Sequence, residues 1–222
     1  MSFDDAYIPP RGHRAITRKS PFHFVGQLTY LNAAGKSQAL GFGSLLEYHT
    51  AICCIYRPDF LDIEEQLAPI RVRQSGVTAT PYWFDFCLTL MSGKRIAVSV
   101  KPEEKASQYV FRERMRAVSR IAVQEIVDAV CVITERSIDP VLLANAKLFH
   151  AARHPEEVLD AQVAAELVRF ETPLPIRDAL HQSGIGSAGF WSVVRAIRAG
   201  IVQVAQGECI TARSVIFARG AL

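Results

Sequence analysis

Apolar residues in the stretch from Pro81 to Lys105, PYWFDFCLTLMSGKRIAVSVKPEEK, have the spacing of two β-strands. A short segment containing Gly93 separates the two runs, which predicts a β-hairpin. Asp85 lies in the middle of the first strand and Lys101 near the end of the second, each among apolar residues. An ionisable side chain inside a sheet is costly unless it is paired or metal-bound, so the pattern predicts a site here.

The segments on either side of this hairpin predict a mixed α/β fold. A strand and turn are expected within residues 24–36, and Ser44 is the expected N-cap of a helix that carries Glu47 in its first turn. An extended segment at 62–73 follows. After the hairpin, residues 103–125 predict a helix, broken once, and residues 129–134 a buried strand. A strand that follows a helix favours a βαβ crossover onto the same sheet.

The composition changes to alanine-rich helix from Asp139 onward. A linker at 171–175 then precedes a short helix, a turn, a second helix closed by Gly200, and a hairpin around Gly207. Helix, turn, helix, hairpin is the layout of a winged helix. We therefore expect two domains, residues 1–137 and 138–222.

The positions of the charged residues along the chain are more informative about nucleic-acid binding than the net charge is. A net charge of +3 over 222 residues does not by itself predict nucleic-acid binding. Basic residues do cluster, and an expected DNA interface comprises Arg112 and Arg116 on the predicted long helix, Arg195 and Arg198 on the second terminal helix, and Arg213 on the wing. The alternatives are a solvated helix face for the first cluster and a protein-docking winged helix for the terminal unit.

The sequence contains few features that would indicate export, a membrane span or disulfide and metal chemistry at cysteine. The N-terminus lacks a charged-then-apolar leader, and no apolar run approaches the ~20 residues of a membrane span, so we expect a cytoplasmic protein without membrane contact. The five cysteines have no CxxC pairing or histidine spacing typical of a metal site. Their apolar contexts predict buried free thiols.

The hairpin register decides whether the polar residues can form one site. Strand alternation places Ser99 and Lys101 on one face. A two-residue turn at Ser92 and Gly93 would place Asp85 on the opposite face. The hypothesis therefore requires a loop with an odd number of residues, or a bulge, with Asp85 opposite Lys101.

Glu47, Asp85 and Lys101 are the residue types that phosphodiester hydrolysis requires. Two carboxylates and a backbone carbonyl, here that of Val100, suit Mg²⁺ or Mn²⁺, which neutralises phosphate charge and activates water. A lysine orients that water or stabilises the negative transition state. From the spacing alone, a structural ion pair between Asp85 and Lys101 is an equal alternative.

Four motifs resemble the N-terminal catalytic domain of TnsA, the transposon-end endonuclease of the PD-(D/E)XK nuclease superfamily. They are GSLLEYHTAICC, DIEEQLAPIRV, WFDF and AVSVKPEEKA, within residues 11–135. The resemblance implies a restriction-endonuclease-like sheet and a metal-dependent DNA endonuclease with catalytic residues Glu47, Asp85, Ser99 and Lys101. It also implies partners, namely DNA, a DDE-type transposase and an ATPase regulator.

Ser99 departs from the family pattern, which places Glu or Gln two residues before the lysine. A serine hydroxyl binds metal only weakly or through water, so lower metal affinity or lost activity is expected. Two rival hypotheses follow. One is a non-catalytic DNA-binding or regulatory protein with the nuclease fold, and the other is a nuclease that acts alone in defence or repair.

Overall fold

The computed structural model describes residues 7–14, 24–71, 80–205 and 207–218. The chain divides into two compact units, Met1–Ile138 and Asp139–Leu222. Basic residues also cluster near the N-terminus of the sequence, and two of them, Arg18 and Lys19, lie outside the described residues.

A four-stranded mixed sheet forms the centre of the first unit. Its strands lie in the spatial order β3, β6, β7, β8, with β7 and β8 parallel and the other neighbours antiparallel. The strands of this unit are β1 (Gly26–Leu31), β2 (Ser37–Phe42), β3 (Phe60–Glu65), β4 (Ile70–Arg71), β5 (Pro81–Tyr82), β6 (Phe86–Leu90), β7 (Arg95–Val100) and β8 (Ala129–Ile133). Its helices are α1 (Leu45–Ile55), α2 (Glu103–Ala106) and α3 (Tyr109–Glu125). The expected α/β class, with a mixed sheet flanked by helices, is confirmed.

Two apolar layers bury the two faces of this sheet. On one face, α1 and the β1–β2 hairpin pack against the side chains of Phe86, Val98 and Val100. On the other, Met115 and Val118 of α3 pack against Cys87. Because strand side chains alternate, neighbouring residues of β7 belong to different layers, which directs Val100 toward α1.

Several local predictions are confirmed. The Ser44 side chain accepts the Glu47 N–H as the N-cap of α1. The helix expected at 103–125 breaks between α2 and α3, and β8 returns parallel to β7 as a βαβ crossover. Of the five free cysteines, four are at least half-buried, but Cys209 is exposed, so the prediction of burial is wrong there.

The described residues of the second unit form four α-helices and a small sheet. The helices are α4 (Pro140–Ala151), α5 (Glu157–Leu167), α6 (Ile176–Gln182) and α7 (Phe190–Arg198). The strands are β9 (Leu174–Pro175), β10 (Val202–Val204) and β11 (Val215–Ala218), in the antiparallel order β10, β11, β9. Val163, Ile176, Val193 and Val194 are fully buried in its separate apolar core.

Candidate functional site

Asp85 lies immediately before β6, so the prediction that it lies in the middle of a strand is wrong. Its backbone is nevertheless bonded on both sides. Its N–H donates to Val98 O at 3.0 Å, and its carbonyl accepts from the Gln66 N–H at 2.9 Å. These two bonds fix the backbone between neighbouring strands. The side chain is 12% exposed, so its carboxylate is largely removed from water.

The β6–β7 hairpin has a three-residue loop, Met91 to Gly93. The Leu90 N–H donates to Lys94 O, and Gly93 adopts a φ of +82°, which favours glycine. The expected odd loop length is therefore confirmed. Phe86 pairs with Val98, which brings Asp85 level with Ser99. The expected pairing with Lys101 is wrong by two residues, because a three-residue loop starts the ladder two positions earlier than the pairing with Lys101 requires.

Lys101 nevertheless reaches Asp85 along the strand. Its Nζ lies 3.1 Å from Asp85 Oδ2 and 2.8 Å from the carbonyl oxygen of Val100. The Val100 N–H donates to the same Asp85 Oδ2 at 2.7 Å. One ammonium therefore bridges the carboxylate and the carbonyl that the sequence indicates as metal ligands.

Glu47 lies near enough for its ionisation to depend on both residues of this pair. Burial raises the pKa of Glu47, the Gly43 N–H lowers it, the Asp85 charge raises it and Lys101 lowers it. Its carboxylate is also used locally, accepting from the Gly43 N–H at 2.7 Å and from Ser44 Oγ at 3.2 Å. Glu47 is thus both the acidic residue of a helix cap and part of the charged cluster.

Ser99 is fully buried, and its hydroxyl forms a short hydrogen bond with the hydroxyl of Tyr82. Arg114 lies over the Tyr82 ring at 5.3 Å, and Phe84 packs edge-on at 5.3 Å. Burial raises the pKa of Tyr82, with smaller effects from Ser99, Lys101 and Asp85. The Ser99 hydroxyl is therefore hydrogen-bonded to the Tyr82 hydroxyl, and Arg114 and Phe84 hold the Tyr82 ring in place.

Tyr82 is the site residue that sequence reasoning missed. The available signal was a hydroxyl-bearing side chain three residues before Asp85 in an otherwise apolar run. Trp83, the next residue, carries the guanidinium of Arg14 over its ring at 5.3 Å. Arg14 thus lies beside the short segment between β5 and β6 that also contains Asp85, an arrangement that spacing along the chain does not encode.

The arrangement brings together two carboxylates, a lysine and a backbone carbonyl at one end of β6 and β7. Within the described ranges, no group of three or more His, Cys, Asp or Glu side chains is placed to hold a metal ion. Two carboxylates and the Val100 carbonyl would therefore leave half of an octahedral ion's positions to water. Such a set suits Mg²⁺ more than a tightly enclosed metal.

Arg112 and Arg116 are exposed on α3 and line a groove of about 1160 Å³ in the first unit. Arg120 lines the same groove one turn further along the helix. Arg116 also pairs with Glu113. The expected arginine cluster therefore lies on one helix wall rather than being scattered over the surface.

The three arginines expected at a DNA interface in the second unit have different surroundings. Arg198 and Arg213 are exposed. Arg195 is 16% exposed, and its guanidinium donates to both oxygens of Asp160 at 2.7 to 2.9 Å. It also bonds to Glu156, to Ser192 and to the carbonyls of Ala152 and His154. A phosphate would have to compete with these bonds for Arg195.

The sequence matches no protein-family model, and no curated protein matches it. None of the helices in the described part of the chain is both long enough and apolar enough to cross a bilayer.

Proposed function

We propose that this protein is a Mg²⁺-dependent DNA endonuclease that resembles TnsA and hydrolyses phosphodiester bonds. The observation that carries the proposal is the contact between Asp85 and Lys101, with Glu47 close enough for its pKa to respond to both charges. A carboxylate and an ammonium at one sheet end, beside a second carboxylate, form the minimal set for metal-assisted hydrolysis. The proposed fold class is restriction-endonuclease-like.

The donor set fits a hard divalent cation. The Lys101 ammonium lies between Asp85 Oδ2 and Val100 O, which supports a preference for positive charge at this point. Glu47, Asp85 and the Val100 carbonyl would hold Mg²⁺ or Mn²⁺, which when bound supplies charge neutralisation and an acidified water. Lys101 would orient the attacking water or stabilise the negative charge that develops on the phosphate.

The second unit is proposed to be a winged-helix-like DNA-binding domain. Helix α7 follows α6 after a turn, and the β10–β11 hairpin follows α7, the order expected for that fold. Arg198 and Arg213 are exposed and positively charged, which supports phosphate contacts. Arg195 is assigned instead to holding α7 against Asp160 of α5.

The cellular role follows from the resemblance alone. A TnsA-like enzyme cuts beside a DDE-type transposase and an ATPase regulator, in the cytoplasm. A nuclease acting alone in defence or repair uses the same site chemistry. Transposase and ATPase genes beside the coding sequence would favour the first of these roles.

The second candidate function is a DNA-binding or regulatory protein that has lost catalysis. The hydrogen bond between buried Ser99 and Tyr82 favours it, because that hydroxyl is not presented to a metal. The described residues also contain no group of three or more His, Cys, Asp or Glu side chains placed to hold a metal ion, which favours it as well.

Cleavage of supercoiled plasmid in Mg²⁺ or Mn²⁺ tests the two candidates. We expect the wild type to nick or linearise the plasmid, and Asp85→Asn to lose about 100-fold or more of that rate. Asp59→Asn is the matched control, since Asp59 is an exposed carboxylate paired with Arg57 outside the site. Equal plasmid-cleavage rates for the wild type and Asp85→Asn would reject the endonuclease hypothesis.

A further inference from the structure

The groove beside α3 has two chemically different surfaces. Arg112, Arg116 and Arg120 line it at intervals of four residues, which places them on successive turns about 6 Å apart along the helix axis. Phe111, Met115, Val123 and Val132 add apolar side chains. Polar groups complete the lining, from Ser107, Ser119, Gln124, Thr134 and Ser137.

The groove also lies at an edge of the sheet. Strand β8 is the last in the order β3, β6, β7, β8, so α3 and the outermost strand both contribute to the lining. Val123 is 48% exposed, which leaves apolar surface open to solvent there. Among the described residues, the lining carries three arginines and one carboxylate, that of Glu103, while Glu113 outside the lining pairs with Arg116. A negatively charged partner with exposed apolar faces is complementary to both features.

We propose that this groove binds a single, unpaired strand of nucleic acid, with phosphates against the three arginines and bases against the apolar side chains. Duplex DNA presents phosphates outward and keeps its base faces stacked inside, so it would use the arginines but not Phe111 or Val123. A single strand offers both surfaces, and a basic groove with apolar or aromatic platforms is the usual way to hold one without sequence preference.

The groove lies close to the proposed catalytic residues along the chain. Glu103, which lines it, follows Lys101 by two residues, and Thr134 follows the end of β8. A strand separated from its complement near Asp85 would therefore have a binding surface on the same unit. This inference rests on the proposed function for its biological meaning, but binding is measurable without cleavage.

Fluorescence anisotropy in EDTA tests the inference, since removing the metal abolishes cleavage but not groove binding. The probes are a labelled 12-nucleotide oligo-dT, a 12-base-pair duplex and an oligoglutamate peptide of the same charge. We expect the full-length protein to bind the single strand at least about tenfold more tightly than the peptide at moderate salt.

A triple variant, Arg112→Gln with Arg116→Gln and Arg120→Gln, removes the basic wall. For a single strand, each lost phosphate contact reduces the steepness of the fall of log affinity with log salt by about 0.7. The triple variant should therefore reduce this steepness by about 2. The charge-matched control is Arg57→Gln with Arg71→Gln and Lys94→Gln, which changes residues outside the groove lining.

Val123→Asn tests the apolar surface separately, because it replaces an exposed apolar side chain with an uncharged polar one and leaves the arginines and the core unchanged. This change should lower the affinity for the single strand several-fold and leave the affinity for the duplex within about twofold of the wild-type value. Equal losses for duplex and single strand, or tighter binding of the peptide, would overturn the inference. Retained groove binding with no cleavage in Mg²⁺ would reject the endonuclease and leave this inference standing.

Discussion

The ammonium of Lys101 lies 3.1 Å from Asp85 Oδ2 and 2.8 Å from Val100 O, and so bridges two oxygens assigned to a metal ion. The lysine therefore has two effects that oppose each other. It would stabilise negative charge during hydrolysis, and it competes with a divalent cation for the same oxygens.

Lys101→Met separates these two effects, since methionine keeps an unbranched apolar side chain and removes the charge. We expect Mg²⁺ to bind more tightly while plasmid cleavage falls about 100-fold. Isothermal titration gives the affinity and a plasmid assay the rate. Lys105→Met, a change at an exposed residue of α2, is the control. Weaker Mg²⁺ binding in Lys101→Met would contradict the competition.

Ser99 and Tyr82 should be energetically coupled, because each buried hydroxyl is the partner of the other. Ser99→Ala or Tyr82→Phe alone leaves one hydroxyl without its partner and should cost about 1–3 kcal/mol in the free energy of unfolding. The double variant removes both hydroxyls and should cost less than the sum of the two single changes. Urea denaturation of the four proteins measures the coupling, and additive changes would show that the contact contributes nothing.

The same contact changes what is expected of a longer side chain at position 99. Ser99→Gln must enter space that is fully buried and adjoins the Tyr82 hydroxyl, so it should destabilise the first unit by about 1–3 kcal/mol. Thermal denaturation measures this cost. Faster plasmid cleavage by Ser99→Gln than by the wild type, at unchanged stability, would contradict this, because it would show that the Tyr82 side chain moves to admit the longer residue.

Glu47 should make stability fall as pH rises from acid toward neutral. Burial raises its pKa above the ordinary 4.5, so the native state binds the proton more strongly than the unfolded state does. Its contribution to stability is complete below 4.5 and is lost as pH increases through the raised pKa. Glu47→Gln keeps an acceptor for the Gly43 N–H and removes the charge, so its stability relative to wild type should increase with pH.

Chemical denaturation of both proteins between about pH 4 and pH 8 measures this difference. Added Mg²⁺ should raise the neutral-pH stability of the wild type more than that of Glu47→Gln, because a bound cation favours the carboxylate. A wild type that gains stability relative to the variant as pH rises would contradict the expected direction.

Arg195 should affect folding more than DNA binding. Its guanidinium is 16% exposed and bidentate on Asp160, so Arg195→Ala leaves a partly buried carboxylate without its partner and should cost about 3 kcal/mol. Arg213→Ala, at an exposed residue, should change stability by less than about 0.5 kcal/mol but weaken DNA binding several-fold. Thermal melts and filter binding distinguish the two, and a stable Arg195→Ala would contradict the assignment.

Local signals in the sequence predicted much of the first unit. Ser44 caps α1 because a hydroxyl three residues before Glu47 can accept its N–H, a relation contained within one turn. The break between α2 and α3 and the parallel return of β8 follow from apolar spacing. The nearness of Asp85 and Lys101 was also predictable, since the two residues flank the paired strands of one hairpin.

The register and the partners of the polar groups were not predictable in this way. The letters MSG between the two strands allow loops of different length. Packing of Phe86 and Val98 in one layer with α1 requires an odd loop, and the pairing of Phe86 with Val98 makes it three residues. The Arg195 side chain looked like a DNA contact because Asp160 lies 35 residues away in the chain.

Three features were predictable because each depends on neighbours within a few residues: the α/β class of the first unit, the hairpin that carries Asp85 and Lys101, and the cap that positions Glu47. Three others required the folded chain: Asp85 is level with Ser99, Tyr82 engages the Ser99 hydroxyl, and Lys101 bridges Asp85 and Val100. Buried polar groups require partners, and packing of distant segments determines which partner each one meets.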